Sequence, residues 1–107
     1  MAIYTLEQIQ DYADRIAREF HPDKIILFGS YANGTPTEDS DVDLMVIMPF
    51  EGKWHYKAAE IEMKIHSPFP MDLLVRRPEY VVERITGGDW FMRDVLRDGK
   101  LLYEGQN

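Results

Sequence analysis

Three short apolar runs, Lys24–Phe28, Asp41–Met48 and Met71–Val75, constrain this chain more than any other feature. Each is fenced by a residue that interrupts regular structure: Gly29 after the first, Pro49 after the second, Pro70 before the third. Runs this short, bounded by Gly or Pro, read as buried strands, because a helix needs roughly ten residues or more to be recognised by its period. Segments of helical period lie between them. Thr5 and Gln8 have the spacing of a capping box, and Leu6, Ile9, Ala13, Ile16, Ala17 and Phe20 recur at helical intervals, which predicts a helix over about 6–20. His21-Pro22-Asp23 stops it. A second amphipathic helix, carrying Trp54, Ala58, Ile61 and Ile65, is predicted from about Lys53 to His66, ahead of the breaker Ser67–Pro70. Pro78 suits a first helical turn and opens a helix to about Thr86. Gly87-Gly88 separates it from another helix, with Asp89 as cap, Phe91, Val95 and Leu96 facing inward, and Gly99 as its end. Leu101-Leu102-Tyr103 adds a short strand. The order α-β-β-α-β-α-α-β predicts an α/β (α+β) fold, a small mixed sheet flanked by helices.

At 107 residues the chain has room for one domain, expected to span 1–107, and for little besides one catalytic unit. Apolar residues at 45% and charged residues at 29% exclude the composition of a disordered chain. With 12 Lys and Arg against 19 Asp and Glu, the net charge of -7 repels a phosphate backbone, so nonspecific nucleic-acid binding is disfavoured. There is no Cys, which removes thiolate chemistry and Cys-based zinc sites and leaves oxygen and nitrogen ligands. The longest apolar run, Leu44 to Phe50, contains Pro49 and falls far short of the roughly 18 residues of a membrane span. Met1 to Glu7 has no basic segment of a signal peptide. A cytoplasmic protein without a membrane segment is expected.

The chemistry is concentrated between Phe28 and Leu44. A strand that runs into Gly29-Ser30, with one helical turn expected near Tyr31 to Asn33, exposes backbone N–H groups beside a hydroxyl, an arrangement suited to phosphate oxygens. Gly29 allows close approach to the backbone. Asp41 and Asp43 stand two apart on a strand, so their carboxylates share a face while Val42 and Leu44 take the other. The same parity reaches Met45 and Ile47, which are apolar, so the polar site is confined to the strand's entrance. Asp72 interrupts the third apolar run, where an isolated carboxylate is costly unless paired or metal-bound. If the second and third strands are neighbours, three carboxylates converge. At about 4 Å and an effective dielectric of 20 each pair repels by roughly 4 kcal/mol, so the cluster calls for cations or protons. Hard oxygen ligands favour Mg²⁺ or Mn²⁺. A P-loop is excluded because Thr35-Pro36 follows Gly34, and an EF-hand is excluded because Leu44 and Phe50 stand where Gly and Glu are required.

Gly29-Ser30, ten intervening residues, Asp41-Val42-Asp43 and a later in-strand Asp72 together resemble the minimal nucleotidyltransferase (MNT) domain of the polymerase β superfamily. The resemblance covers most of the chain and implies the polymerase β-like nucleotidyltransferase fold. It also implies that Gly29 and Ser30, with Ser40 beside them, bind the nucleotide phosphates, that Asp41 and Asp43 hold two Mg²⁺, and that Asp72 completes the metal activating the acceptor hydroxyl. The implied reaction moves a nucleoside monophosphate, AMP from ATP, to a hydroxyl. Many relatives carry Arg after the Gly-Ser pair; here Tyr31 and Asn33 occupy that stretch. MNT domains often pair with separately encoded helical HEPN proteins in toxin–antitoxin systems, which implies a Tyr of such a partner as acceptor.

Two other readings remain open: a non-catalytic antitoxin module that neutralises its partner by binding alone, and a homo-oligomer that modifies a small molecule such as an aminoglycoside. The presence of Ser30, Asp41, Asp43 and Asp72 together favours catalysis over pure binding. Arg76 and Arg77 follow the third strand and are candidates to reach a triphosphate. His21, His55 and His66 lack metal-ligand spacing. Trp54, Tyr56 and Met63 are assigned to packing, whereas Trp90-Phe91-Met92, three large side chains in succession, cannot all face one core.

Overall fold

The computed structural model describes residues 3–106. Helix α1 (Leu6–Phe20) begins where the Thr5 Oγ1 accepts from the Gln8 N–H at 3.1 Å and Gln8 Oε1 accepts from the Thr5 N–H at 2.8 Å, the reciprocal capping box read from the sequence. It ends at His21, whose left-handed backbone (φ 48°) returns its N–H to Ala17. Strand β1 (Lys24–Phe28), a single turn α2 (Ser30–Asn33), strand β2 (Val42–Ile47), helix α3 (Trp54–Lys64) and strand β3 (Met71–Arg76) follow. Helices α4 (Pro78–Thr86) and α5 (Trp90–Asp98) and strand β4 (Lys100–Glu104) complete the chain.

The sheet order is β3-β2-β1-β4. β1 lies antiparallel to both β2 and β4, and β2 lies parallel to β3, so the sheet is mixed as expected. A parallel pair needs a crossover, and α3 supplies it. Side-chain alternation divides the core in two. Ile25, Leu27, Val42, Leu44, Val46, Leu73 and Val75 pack with α1 and α3, while Ile26, Met45 and Ile47 pack with Val81 of α4 and Met92 and Val95 of α5. Asp43 falls between Val42 and Leu44 and therefore belongs to the face covered by α4 and α5.

Several inward assignments change. In α5 the buried residues are Met92 and Val95, three apart on one helix face, whereas Phe91 and Leu96 flank that face and are largely exposed. In α1, Leu6 sits in the first turn and is exposed, and Phe20 is half-buried beneath the ammonium groups of Lys57 and Lys64. Tyr12, which the apolar pattern passed over, is buried; its hydroxyl donates to the Ile65 carbonyl at 2.8 Å, and burial pushes its pKa up to about 12. Tyr56 and Met63 are exposed on α3 and Trp90 on α5, so only Trp54 of the packing group joins the core, at its margin.

Candidate active site

β1 delivers the chain to Gly29, where φ is 76°, a conformation that L-residues avoid. A side chain there would also be obstructed, because a Cβ would run into the carboxylate of Asp43. The position therefore demands glycine twice over. The Ala32 and Asn33 N–H groups donate back to the Gly29 carbonyl at 3.1 and 3.0 Å, closing the turn of α2. Ser30 and Tyr31, its first two residues, have no carbonyl within α2 for their N–H groups. The turn is pinned from beneath: Tyr31 and Ala32 are buried, and the Tyr31 hydroxyl accepts from the Tyr4 N–H at 3.2 Å. Tyr31 is thus an anchor of the turn.

The sheet register brings the carboxylates to the same end. Phe28 pairs with Asp43 across the antiparallel ladder, and Asp43 pairs with Asp72 across the parallel one. Neighbouring strands are about 4.8 Å apart and paired residues share a face, so the two carboxylates are forced together. Asp43 is held up to about 6, first by partial burial, then by the charges of Asp72 and Asp41, and by a hydrogen bond with Asp72. Asp72 itself is exposed on the edge strand β3. The desolvation expected at Asp72 falls instead on Asp43, because an edge strand leaves one side of its residues open to water.

Asp41 precedes β2 and is exposed at the end of a short turn. In that turn the Ser40 N–H donates to the Thr37 carbonyl at 3.0 Å and the Ser40 Oγ accepts from the Thr37 N–H at 2.9 Å. Glu38 and Asp39 lie exposed in the same loop. The Val42 N–H donates to the Pro70 carbonyl at 2.9 Å, locking the start of β2 to the approach of β3. Among the described residues no three His, Asp or Glu side chains are already drawn into a metal cage. The donor set nevertheless fits a hard divalent cation: three carboxylates at one end of the sheet, one of them reluctant to ionise without a positive neighbour.

Arg76 and Arg77 do not reach this site. They stand at the far end of β3, four residues beyond Asp72, which is roughly 13 Å at the strand rise. Arg76 covers the Trp54 ring and Arg77 covers the Phe50 ring. His21, His55 and His66 are all exposed. A feature the sequence reading missed is a cleft of about 250 Å³ that opens beside Gly29, lined by Phe28, Asn33, Phe91, Asp94 and Asp98. Phe28 and Phe91 meet edge to face at 5.5 Å on its wall. The spacing of Asp94 and Asp98, one helical turn apart on α5, is the signal that could have revealed it.

The nucleotidyltransferase domain profile matches residues 9–101. A protein of Methanocaldococcus jannaschii named as a protein adenylyltransferase is 32% identical over 80 residues, covering 75% of this chain and 77% of its own. A crystal structure named as a nucleotidyltransferase from Sulfolobus solfataricus aligns over 92% of this chain and 79% of its own, with a TM-score of 0.63 at 18% identity. A toxin–antitoxin crystal structure with AMP-PNP aligns over 91% of this chain and 74% of its own, with a TM-score of 0.56 at 21% identity. A mutant of the toxin–antitoxin MntA–HpeT gives the same coverage and identity, with a TM-score of 0.54. These structures share the fold, and the sequence profile spans the glycine turn and all three carboxylates: the chain belongs to the nucleotidyltransferase domain family and is an enzyme of that class.

Proposed function

We propose that this protein transfers AMP from ATP to a hydroxyl of a partner protein, a Tyr of a helical HEPN-type toxin, and thereby acts as the antitoxin. The observation that carries the reading is the meeting of Gly29, Asp43 and Asp72: one register places a phosphate-compatible turn directly against a carboxylate pair. The name of the archaeal relative supports a protein acceptor, and the toxin–antitoxin neighbours, one with AMP-PNP, support a nucleotide-using partner system.

Gly29 and the N–H groups of Ser30 and Tyr31 receive the β and γ phosphates, with the Ser30 hydroxyl as a further donor. The cleft beside Gly29 leaves room for the rest of the nucleotide. Asp41, Asp43 and Asp72 would hold two Mg²⁺, or Mn²⁺, which when bound supply charge neutralisation for the triphosphate and for the pentacoordinate phosphorus. Ser40 contributes by shaping the turn that presents Asp41 at the nucleotide. The acceptor oxygen forms a bond to the α-phosphorus as the bond to the bridging oxygen breaks. Pyrophosphate leaves, and the hydroxyl proton passes to solvent or a carboxylate. Because ATP and a protein acceptor meet in the cytoplasm, that is the compartment we assign.

A binding-only antitoxin is the second reading, and the 83% exposure of Trp90 at the start of α5 is the observation in its favour. Incubation with ATP, Mg²⁺ and the protein encoded beside it separates the two. Enzymatic neutralisation adds a nucleotidyl mass to a partner Tyr and fails with Asp43→Asn. If Asp43→Asn still neutralises and the partner gains no mass, the adenylyl-transfer reading is wrong.

A further inference from the structure

The opposite end of β2 and β3 carries a second cleft, about 430 Å³ in volume, that the nucleotidyl-transfer reading does not use. Its walls include Phe50, Lys53, Trp54, Arg76, Arg77 and Tyr80. Three cations thus gather in a chain whose net charge is -7, and among the described residues none of the three forms an ion pair. The protein's other ion pairs show that carboxylates were available elsewhere, on α4 and α5 for example, where Arg84 and Arg97 are both paired.

We propose that this cleft is a binding site for a phosphomonoester carried on a planar body of mononucleotide size, separate from the nucleotidyl-transfer site. The two arginines are held in place by backbone carbonyls. Arg77 donates from Nε to Phe50 at 3.0 Å and from Nη2 to Gly52, and Arg76 donates from Nη1 to Val75 at 2.9 Å. These bonds use two of the five N–H donors of Arg77 and one of the five of Arg76, leaving the remainder of each rigid fork for a ligand. A guanidinium held this way needs no ordering when an anion arrives, which is the condition for tight recognition by a small site. The aromatic groups supply the other half of the ligand's chemistry: Tyr80 offers flat apolar surface beside the cations, and the Trp54 ring, covered on one side by Arg76, adds apolar wall, a lining suited to a base or similar ring. The volume lies within the range of roughly 300 to 1,000 Å³ typical of small-molecule pockets. Partial burial also holds Arg76 below the usual guanidinium range, so a phosphate beside it would replace lost hydration.

The site sits roughly 13 Å along the strands from Asp72, so the two can be tested independently. Calorimetric titration of the intact protein with AMP, inorganic phosphate and adenosine, all in excess EDTA to silence metal-dependent binding, reads it directly. AMP is expected to bind most tightly, phosphate more weakly and adenosine least. Lys53→Gln and Arg76→Gln should each weaken AMP by roughly ten- to a hundredfold, the effect of losing one charge-assisted contact, while Ser30→Ala leaves it unchanged. Lys53 is exposed, so its substitution does not threaten the fold and decides the outcome should Arg76→Gln unfold. No binding of AMP or phosphate, equal binding of AMP and adenosine, insensitivity to Lys53→Gln, or loss with Ser30→Ala would each overturn the proposal. So would preference for an acidic peptide over AMP, which would make the cleft a protein-docking site.

Discussion

Asp43→Asn should make the metal-free protein more stable at neutral pH while abolishing nucleotidyl transfer. Asp43 is half-buried between Asp41 and Asp72, and its carboxyl is held near 6 against an ordinary value of 3.8. A raised carboxyl pKa means that the folded state retains a proton the unfolded chain gives up. Its contribution is therefore present in full below about 3.8 and lost as pH rises through about 6. Two units correspond to roughly 3 kcal/mol at the limit, but a group this open to water is screened, and about 1 kcal/mol is the reasonable remainder. Asparagine keeps the shape and removes the charge. For a domain of this size 1 kcal/mol shifts the melting temperature by about 4–8 °C, so in EDTA near neutrality the variant should melt about 5 °C higher. In acid, where Asp43 carries its proton in the folded protein, the gap should close. Mg²⁺ should reverse the order, since a ligand at ten times its dissociation constant stabilises the native protein by about 1.4 kcal/mol and the variant lacks one carboxylate to hold it. Differential scanning calorimetry across pH, with and without Mg²⁺, reads all three conditions. A variant that melts lower than the native protein in EDTA near neutrality would refute the reasoning, because it would show that the Asp43 carboxylate is a stabilising partner instead of a strained one.

Ser30→Ala removes a hydroxyl donor to a charged phosphate, worth about 1.5–3 kcal/mol, and should lower kcat/KM for ATP by roughly ten- to a hundredfold, measured as pyrophosphate release. Gly29→Ala meets both a left-handed backbone and the Asp43 carboxylate, so chemical denaturation should show a loss of about 1–3 kcal/mol together with lost transfer. Tyr12→Phe deletes the buried bond to the Ile65 carbonyl and should cost about 1–2 kcal/mol in urea unfolding, with transfer activity retained. Trp90→Ala should leave the melting temperature unchanged, since the ring is exposed, and weaken partner capture in a pull-down.

Much of the site was legible because its parts are encoded locally. The glycine that ends β1, the turn at Ser30 and the two-residue spacing of Asp41 and Asp43 are properties of residues adjacent in the chain, although β2 begins only at Val42 and Asp41 stands just ahead of it. The pairing of Asp43 with Asp72 does not, since it depends on which strands become neighbours; the sequence could pose it only as a condition, and the parallel register meets it. What was hidden is what depends on position in the sheet. An edge strand and an interior strand have the same apolar pattern, so the burden of desolvation was assigned to Asp72 when the fold places it on Asp43. Arg76 and Arg77, by contrast, could have been placed away from the site from sequence, since Asp72 lies at the start of the same strand and Arg76 stands four extended residues beyond it. Tyr12 shows the remaining difficulty: its polar atom removes it from an apolar count, and only a carbonyl distant in sequence makes its burial affordable.

The parallel pairing of β2 and β3 explains why the two charge clusters are distinct. Both strands run the same way, so everything at their starts, Asp41, Asp43 and Asp72, is collected at one end, and everything at or beyond their finish, Lys53, Arg76 and Arg77, at the other. Antiparallel pairing would have set the start of one strand against the end of the next and brought Arg76 beside the carboxylates. There it would have neutralised Asp43 and competed with a divalent cation for the same oxygens. The α3 crossover that goes with parallel pairing therefore keeps the protein's own cations away from the acidic end, which leaves those carboxylates without a positive neighbour of the protein's own. A variant that brings a cation back makes the argument testable. Leu74→Arg lies on the face of Asp72, two residues along the strand, and should lower the Asp43 pKa and weaken Mg²⁺-dependent transfer at the same time, whatever its loss of packing against the core does to stability. Transfer that is undiminished with Asp43 titrating lower would show that the segregation of charge is incidental to catalysis.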